Sequence, residues 1–250
     1  MPSFQRMSGS PLQDMTQNYP DISIQSAISP SPWWVLEGSK DIRRGRLIWA
    51  FLPHVDQVPY KLTPIGRVAA TKHEQATVRI EPLRIKQPQP YITLPVAGMP
   101  SYPGEVRIVQ RAKRRPALVL GLGGFPLPKP MTLGRPRWQV SHTILVAPFY
   151  GGMQDGSRAG FPSEFLDRVR RCEFPQFMSD LLPIGAGESI LYLNHMQPLG
   201  HHHDSIEPTD FCLSEDAVAI LDEWVIWVIT GLLPKNGIVL PARKQFLEFD

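Results

Sequence analysis

The residues best suited to chemistry sit at Arg114-Arg115-Pro116-Ala117-Leu118-Val119-Leu120, where a doubled arginine runs into a short apolar β stretch. Arginine carries a planar, permanently charged fork that fits phosphate bidentately, so Arg115 is a candidate cation for phosphoryl chemistry. Arg111, Lys113 and Arg114 crowd beside it in sequence and form a candidate contact patch for a nucleic-acid backbone. Pro116 cannot donate a ladder hydrogen bond and therefore belongs at a strand start or edge, leaving both arginines just outside the strand and Ala117 to Leu120 inside it. His142 lies near the start of a later apolar run and can serve as a general base near neutral pH.

Other constellations point away from their usual chemistry. His195, His201, His202, His203 and Asp204 form the densest set of metal-ligand types, yet consecutive histidines on extended backbone face opposite ways, and no metal site is expected. Gly121-Leu122-Gly123-Gly124 lacks the lysine and following helix of a phosphate loop and reads as a turn. The two cysteines, Cys172 and Cys212, make neither a CxxC pair nor a disulfide framework, which fits a reducing compartment.

The elements that must position these groups are mostly strands. With 27 prolines and 19 glycines, the chain favours short strands and turns over long helices. Leu47 to Leu52, Ala76 to Ile85, Glu105 to Val109, the run through Val119, Ile144 to Ala147 and Ser189 to Leu193 read as strands, with no helix-length pattern between them to suggest parallel βαβ units. Two helices are expected. Pro162 to Arg171 carries acids first and bases last. Ser214 caps the other, with Glu215 and Asp216 in its first turn; Val218, Leu221, Trp224, Val225 and Val228 recur at helical spacing before Gly231 and Pro234 end it. Ile220, Ile226 and Trp227 widen its apolar face beyond one stripe, so it meets something besides the sheet, a second copy of the chain or a deeper core.

A mainly β protein with packed helices (α+β) follows. Residues 1 to about 30 are rich in Ser, Gln, Pro and Asp and are expected to be a disordered tail. Residues 31–104 hold a first strand plus an insertion or added lobe, and 234–250 are a C-terminal extension. The net charge of +3 permits nucleic-acid binding without demanding it. The apolar window from Ala217 to Leu233 is interrupted by Asp222 and Glu223 and is too short to span a bilayer, and no leader pattern opens the chain, so a cytoplasmic protein without a membrane partner is expected.

The order of these segments resembles a known family. Arg115-Pro116-Ala117-Leu118-Val119-Leu120, then Ile144-Leu145-Val146-Ala147-Pro148-Phe149-Tyr150, then Glu188 through Gln197, then an apolar C-terminal helix, are similar over residues 105–233 to the MazF/PemK toxins of bacterial toxin-antitoxin systems. The resemblance implies a small curved antiparallel barrel of the CcdB-like, Src-homology-three-like type with a C-terminal helix. It also implies a homodimer, a cognate antitoxin, and endoribonuclease activity on single-stranded RNA by 2′-hydroxyl attack, with neither metal nor cofactor. Arg115 matches the family arginine that meets the scissile phosphate. Tyr150 stands where the family generally has threonine or serine, and Gln197 near a family arginine. Either Tyr150 or His142 would assist Arg115, while Arg111, Lys113, Arg114 and Gln197 would touch RNA. The alternative is a catalytically inactive barrel of the same fold that binds nucleic acid or protein through its basic patch.

Two strands compete for the first position of such a barrel. Gly45 to Pro53 and Pro103 to Val109 both fit, which makes the intervening residues either an enlarged loop or part of an added lobe.

Overall fold

The computed structural model describes residues 19–30, 32–69, 71–72, 75–86, 104–124, 127–135, 143–154, 159–185, 187–200 and 204–247. In chain order its elements are α1 (Ile24–Ile28), β1 (Trp34–Leu36), β2 (Arg46–Pro53), β3 (Tyr60–Arg67), β4 (Ala76–Pro82), β5 (Arg107–Val109), β6 (Ala112–Gly121), α2 (Lys129–Thr132), β7 (Thr143–Gly151), α3 (Ser163–Arg170), β8 (Phe177–Leu181) and β9 (Glu188–Tyr192). A 3-10 turn (Leu193–His195), β10 (Gln197–Gly200), β11 (Ile206–Leu213), α4 (Glu215–Thr230) and α5 (Val239–Leu247) complete it.

The chain divides into two units, one formed by the residues up to Ala50 with those from Arg115 onward, the other by Phe51–Arg114. In the second unit β3 lies between β4 and β5, with Tyr60 opposite both Pro82 and Val109 and Leu62 opposite both Ile80 and Arg107, so one sheet face is mostly apolar with Arg107 on it. Its other face carries Lys61, Arg79 and Glu81. The boundary expected after residue 104 therefore falls inside this unit, and of the two competing first strands it is β2 that joins the larger sheet while Arg107–Val109 joins the smaller.

The larger sheet curls into a half-barrel with strand order β1-β11-β2-β6-β7-β9-β8, and β10 pairs with β7. Its concave core gathers Leu47, Leu118, Leu120, Ala147, Phe149, Met178, Leu191 and Leu193 under α4. That helix starts where Ser214 accepts from the Ala217 amide (3.2 Å) and stops where Gly231, at φ 76°, returns its amide to the Trp227 carbonyl (2.8 Å). Its deepest residues are Ala217, Ile220, Leu221, Trp224 and Trp227, while Val218, Val225 and Val228 are half-buried. Leu221 and Trp224 of the expected stripe are buried, and the buried face extends to Ala217, Ile220 and Trp227 instead of Val218, Val225 and Val228. The C-terminal extension adds α5, whose first amides, Ile238 and Val239, are held by the Glu223 carboxylate of α4 at 2.8 and 2.9 Å.

Two local expectations need correction. Arg114 and Arg115 lie within β6 and Pro116 is inside the strand rather than at its start. The ladder to β7 begins at Ala117↔Pro148, and because neither Pro116 nor Pro148 has an amide to donate, it ends where the prolines sit. Part of the expected tail, which otherwise lies outside the described residues, is folded. Residues 19 to 28 build a turn of helix capped by Ser23, with Ile24 1% exposed, and Tyr19 meets Trp33 edge to face at 6.2 Å. Little apolar periodicity is needed when so few residues must dock.

The two ends of the sheet meet through side chains. Asp180 of β8, fully buried, accepts from the indole Nε1 of Trp33 (3.1 Å) and of Trp34 on β1 (2.9 Å), and beside it Gln25 of α1 donates to the Ser179 carbonyl (2.5 Å). Loss of solvent pushes the Asp180 carboxyl from its ordinary 3.8 up to about 7, against the pull of the two indoles and the Leu181 amide toward the charged form.

A folded-state value above the unfolded one means that the native protein holds this proton more tightly. The contribution to stability is complete below about pH 4 and is lost as pH rises toward about 7. Denaturant midpoints measured from pH 4 to 8 should fall over that window, and the fall should flatten in Asp180→Asn; identical pH profiles would remove this account. Ile24→Ala should lower stability by about 2–4 kcal/mol, as for a buried aliphatic truncation, and an unchanged urea midpoint would show that α1 does not hold the core.

Candidate functional site

Neighbouring strands β6, β7 and β9 bring the candidate groups together. Continuing the Ala117↔Pro148 register by two residues sets Arg115 across from Tyr150, and the Arg115 guanidinium carbon lies 4.3 Å from the Tyr150 ring centroid. Tyr150 pairs with Ile190 on its other side, so Tyr192, two residues further along β9, is its diagonal neighbour with centroids 5.8 Å apart. Arg115, Tyr150, Tyr192 and His195 are all half-buried.

His195 arrives from the 3-10 turn that follows β9. With three residues per turn, side chains three apart eclipse, and His195 stacks on Tyr192 at 3.9 Å and 26°. Leu193 anchors the turn, fully buried, with its amide on the Gln176 carbonyl (2.8 Å). The Tyr150 hydroxyl and His195 Nδ1 are 2.8 Å apart. In the tautomer whose Nδ1–H donates to the Tyr150 hydroxyl oxygen, the ring's lone pair sits on Nε2, which aims the basic nitrogen away from the tyrosine.

Phe177 of β8, paired with Tyr192 in the ladder, packs on it at 4.5 Å and 36°. Two rings this close at shallow angles cannot share one face of Tyr192, so Phe177, Tyr192 and His195 form a column. Behind it Phe161, Phe165 and Phe174 continue the aromatic packing around α3, whose Leu166 and Val169 are buried with Ile190. Arg170 of the same helix forks onto Glu188 (2.9 and 2.5 Å), and this hydrogen-bonded carboxylate raises the guanidinium pKa above its ordinary value.

The expected groups thus separate into three sets. Arg115 and Tyr150 are together. Arg111, Lys113 and Arg114 are exposed and belong to the second unit. Gln197, expected to touch RNA, is instead buried, and its amide nitrogen donates to the His195 carbonyl (3.3 Å), steadying the turn from below. His142 and His201 to His203 lie outside the described residues, and among the described residues no three His, Cys, Asp or Glu side chains gather as a metal site. The sequence reading placed His195 among metal-ligand types; its tie to Tyr150 was discoverable only from the three-residue spacing to Tyr192 at a strand end.

The resulting constellation is a fixed guanidinium, a phenol and an imidazole in series on the outer side of a curled antiparallel sheet. Such a set can hold an anion and move a proton. Compared with protein-family models, curated proteins and solved structures, the chain matches none.

If Tyr150 orients His195, Tyr150→Phe should cost about 1 kcal/mol of stability and leave the imidazole signals in a proton NMR spectrum broadened by ring motion. Sharp, unshifted imidazole signals in the variant would show that the hydroxyl does not fix the ring.

Proposed function

We propose that this chain is a MazF/PemK-like endoribonuclease that cleaves single-stranded RNA without a metal ion. The observation that carries the reading is the series Arg115, Tyr150, His195, with its 4.3 Å cation-to-ring and 2.8 Å hydroxyl-to-nitrogen contacts. Arg115 would hold the nonbridging oxygens of the scissile phosphate, where a preorganised cation in a partly dry site offsets charge as the phosphorane forms. His195 would take the role expected of His142. Its Nε2 accepts the proton of the ribose 2′-hydroxyl as that oxygen bonds to phosphorus, and the bond to the 5′ oxygen breaks as that oxygen takes a proton from water, giving a cyclic phosphate and a free 5′-hydroxyl. Tyr150 would orient the imidazole.

A specific feature favours the second reading, an inactive binding barrel. Arg115 lies on the ring face of Tyr150 and not at its hydroxyl, so the cation is engaged before any phosphate arrives. To cleave, Arg115 must exchange some of this contact for phosphate. A homodimer and a cognate antitoxin belong to the same proposal; Ile226 (45% exposed) and Ile229 (68%) on α4 supply apolar surface for such a contact. Among the described residues no helix is long and apolar enough to cross a membrane.

Incubation with a mixed RNA pool in EDTA, followed by mapping of ends, tests the activity directly: cyclic-phosphate and 5′-hydroxyl termini are expected. Arg115→Ala and His195→Ala should each lower the rate by about two decades or more, as loss of one charge-stabilising donor does. Arg115→Lys should recover part of it, and Arg114→Ala should be far milder. Equal losses at Arg114 and Arg115 would indicate general electrostatic attraction, and unchanged cleavage in Arg115→Ala would remove the mechanism.

A further inference from the structure

We infer that the ring column Phe177–Tyr192–His195 is a preformed stack which an unpaired nucleobase extends at its half-exposed imidazole end, with the adjoining phosphate on Arg115. The inference rests on the ribonuclease reading and adds to it the part of the substrate that this surface recognises. Three observations carry it. The column is already ordered, because Phe177 and Tyr192 are ladder partners and His195 is eclipsed on Tyr192 by the turn, so binding a base costs little reorganisation. Tyr150 stands between the two contact points, its centroid 4.3 Å from the guanidinium carbon and 5.7 Å from the imidazole centroid, which keeps cation and ring within the span of a dinucleotide. The third is chemical. The basic nitrogen's lone pair and the N–H of imidazole both lie in the ring plane, so a base on the ring face leaves proton transfer at the ring edge undisturbed.

Stacking of this kind accepts any base and rejects duplexes, whose base faces are already covered by their neighbours. Sequence tolerance and single-strand preference therefore come from the same rings. Tyr192 is a positioning residue here: it touches the imidazole and not the reacting atoms.

The test separates base recognition from cleavage by using probes that cannot be cut. Fluorescence anisotropy is measured with a short 2′-O-methyl single strand, with the same strand annealed to its complement, and with a strand in which consecutive sugars carry no base. The wild type should bind the intact single strand at least about fivefold more tightly than the abasic one, the scale of one aromatic stack, and more tightly than the duplex. His195→Ala should erase the difference between intact and abasic strands. His195→Phe should keep it while losing cleavage, since the ring face survives and the proton does not. Tyr192→Ala should weaken base-dependent binding and Tyr192→Phe should restore it.

Equal binding of intact and abasic strands by the wild type would overturn the inference, as would an unaltered preference in His195→Ala. If RNA is cleaved but the abasic strand binds equally well, the stacking seat fails alone and the ribonuclease reading stands. Base-dependent binding without cleavage would support the seat and discard the enzyme, and absence of both would discard the two together.

Discussion

The larger unit depends on one buried carboxylate. A curled sheet that does not close leaves two edges, and here its first and last strands are joined by no ladder among the described residues. Asp180 spans the gap by taking both indole N–H groups of Trp33 and Trp34, which would otherwise be unsatisfied donors in the interior. The group resists being charged there, as its raised pKa shows, yet the indoles can donate to either form of the oxygens. Around this point the neighbouring contacts organise: Gln25 covers the Ser179 carbonyl, Tyr19 closes on Trp33, and β8 is held so that Phe177 backs Tyr192. The site column is thus supported by an interaction on the opposite side of the same strand.

A second polar network ties β2 to the segments next to β1 and β11. Arg46 is fully buried on β2, its fork shared between the Glu37 carboxylate (3.0 Å), the Asp41 carbonyl (3.0 Å) and the Thr209 carbonyl (3.2 Å). Arg43 and the Cys212 thiol reach the same carboxylate at 2.7 and 3.2 Å. Burial of such an ion pair is costly unless its hydrogen-bond capacity is filled, and the backbone acceptors fill it. One of them, Thr209, sits in the irregularity between Pro208 and Cys212, where β11 leaves regular register with β2.

The parts of this fold that local rules govern were readable from sequence. Ser214, the acids behind it and Gly231 mark α4 at both ends, because caps act within one turn. Apolar runs marked β2, β6, β7 and β9 of the curled sheet but not β1, β8, β10 or β11, and the family resemblance set Arg115 and Tyr150 in one site. What could not be read is what depends on distant pairing. Trp33 and Asp180 are 147 residues apart, and nothing near either announces the other. Pro116 in a strand interior sits just where the ladder to β7 stops, next to the Ala117↔Pro148 pair, and that stop is set by the partner strand. Which side of α4 is most buried depends on the sheet it packs against, again a tertiary matter. His195 is intermediate: its spacing from Tyr192 was visible, but the 3-10 turn that makes the spacing meaningful was not.

The seam at Asp180 also has a dynamic meaning. A ladder between two strands opens residue by residue, with each step losing one backbone bond, whereas a junction made of side chains lets go in a single event that frees both edges at once. The Trp33 and Trp34 indole protons sit at that junction and are shielded only while it is closed, so their exchange with solvent would time the breathing of the sheet itself. Because β8 carries Phe177 at its start, each such opening also loosens the floor on which Tyr192 and His195 rest, linking the lifetime of the ring column to an event at the sheet's margin.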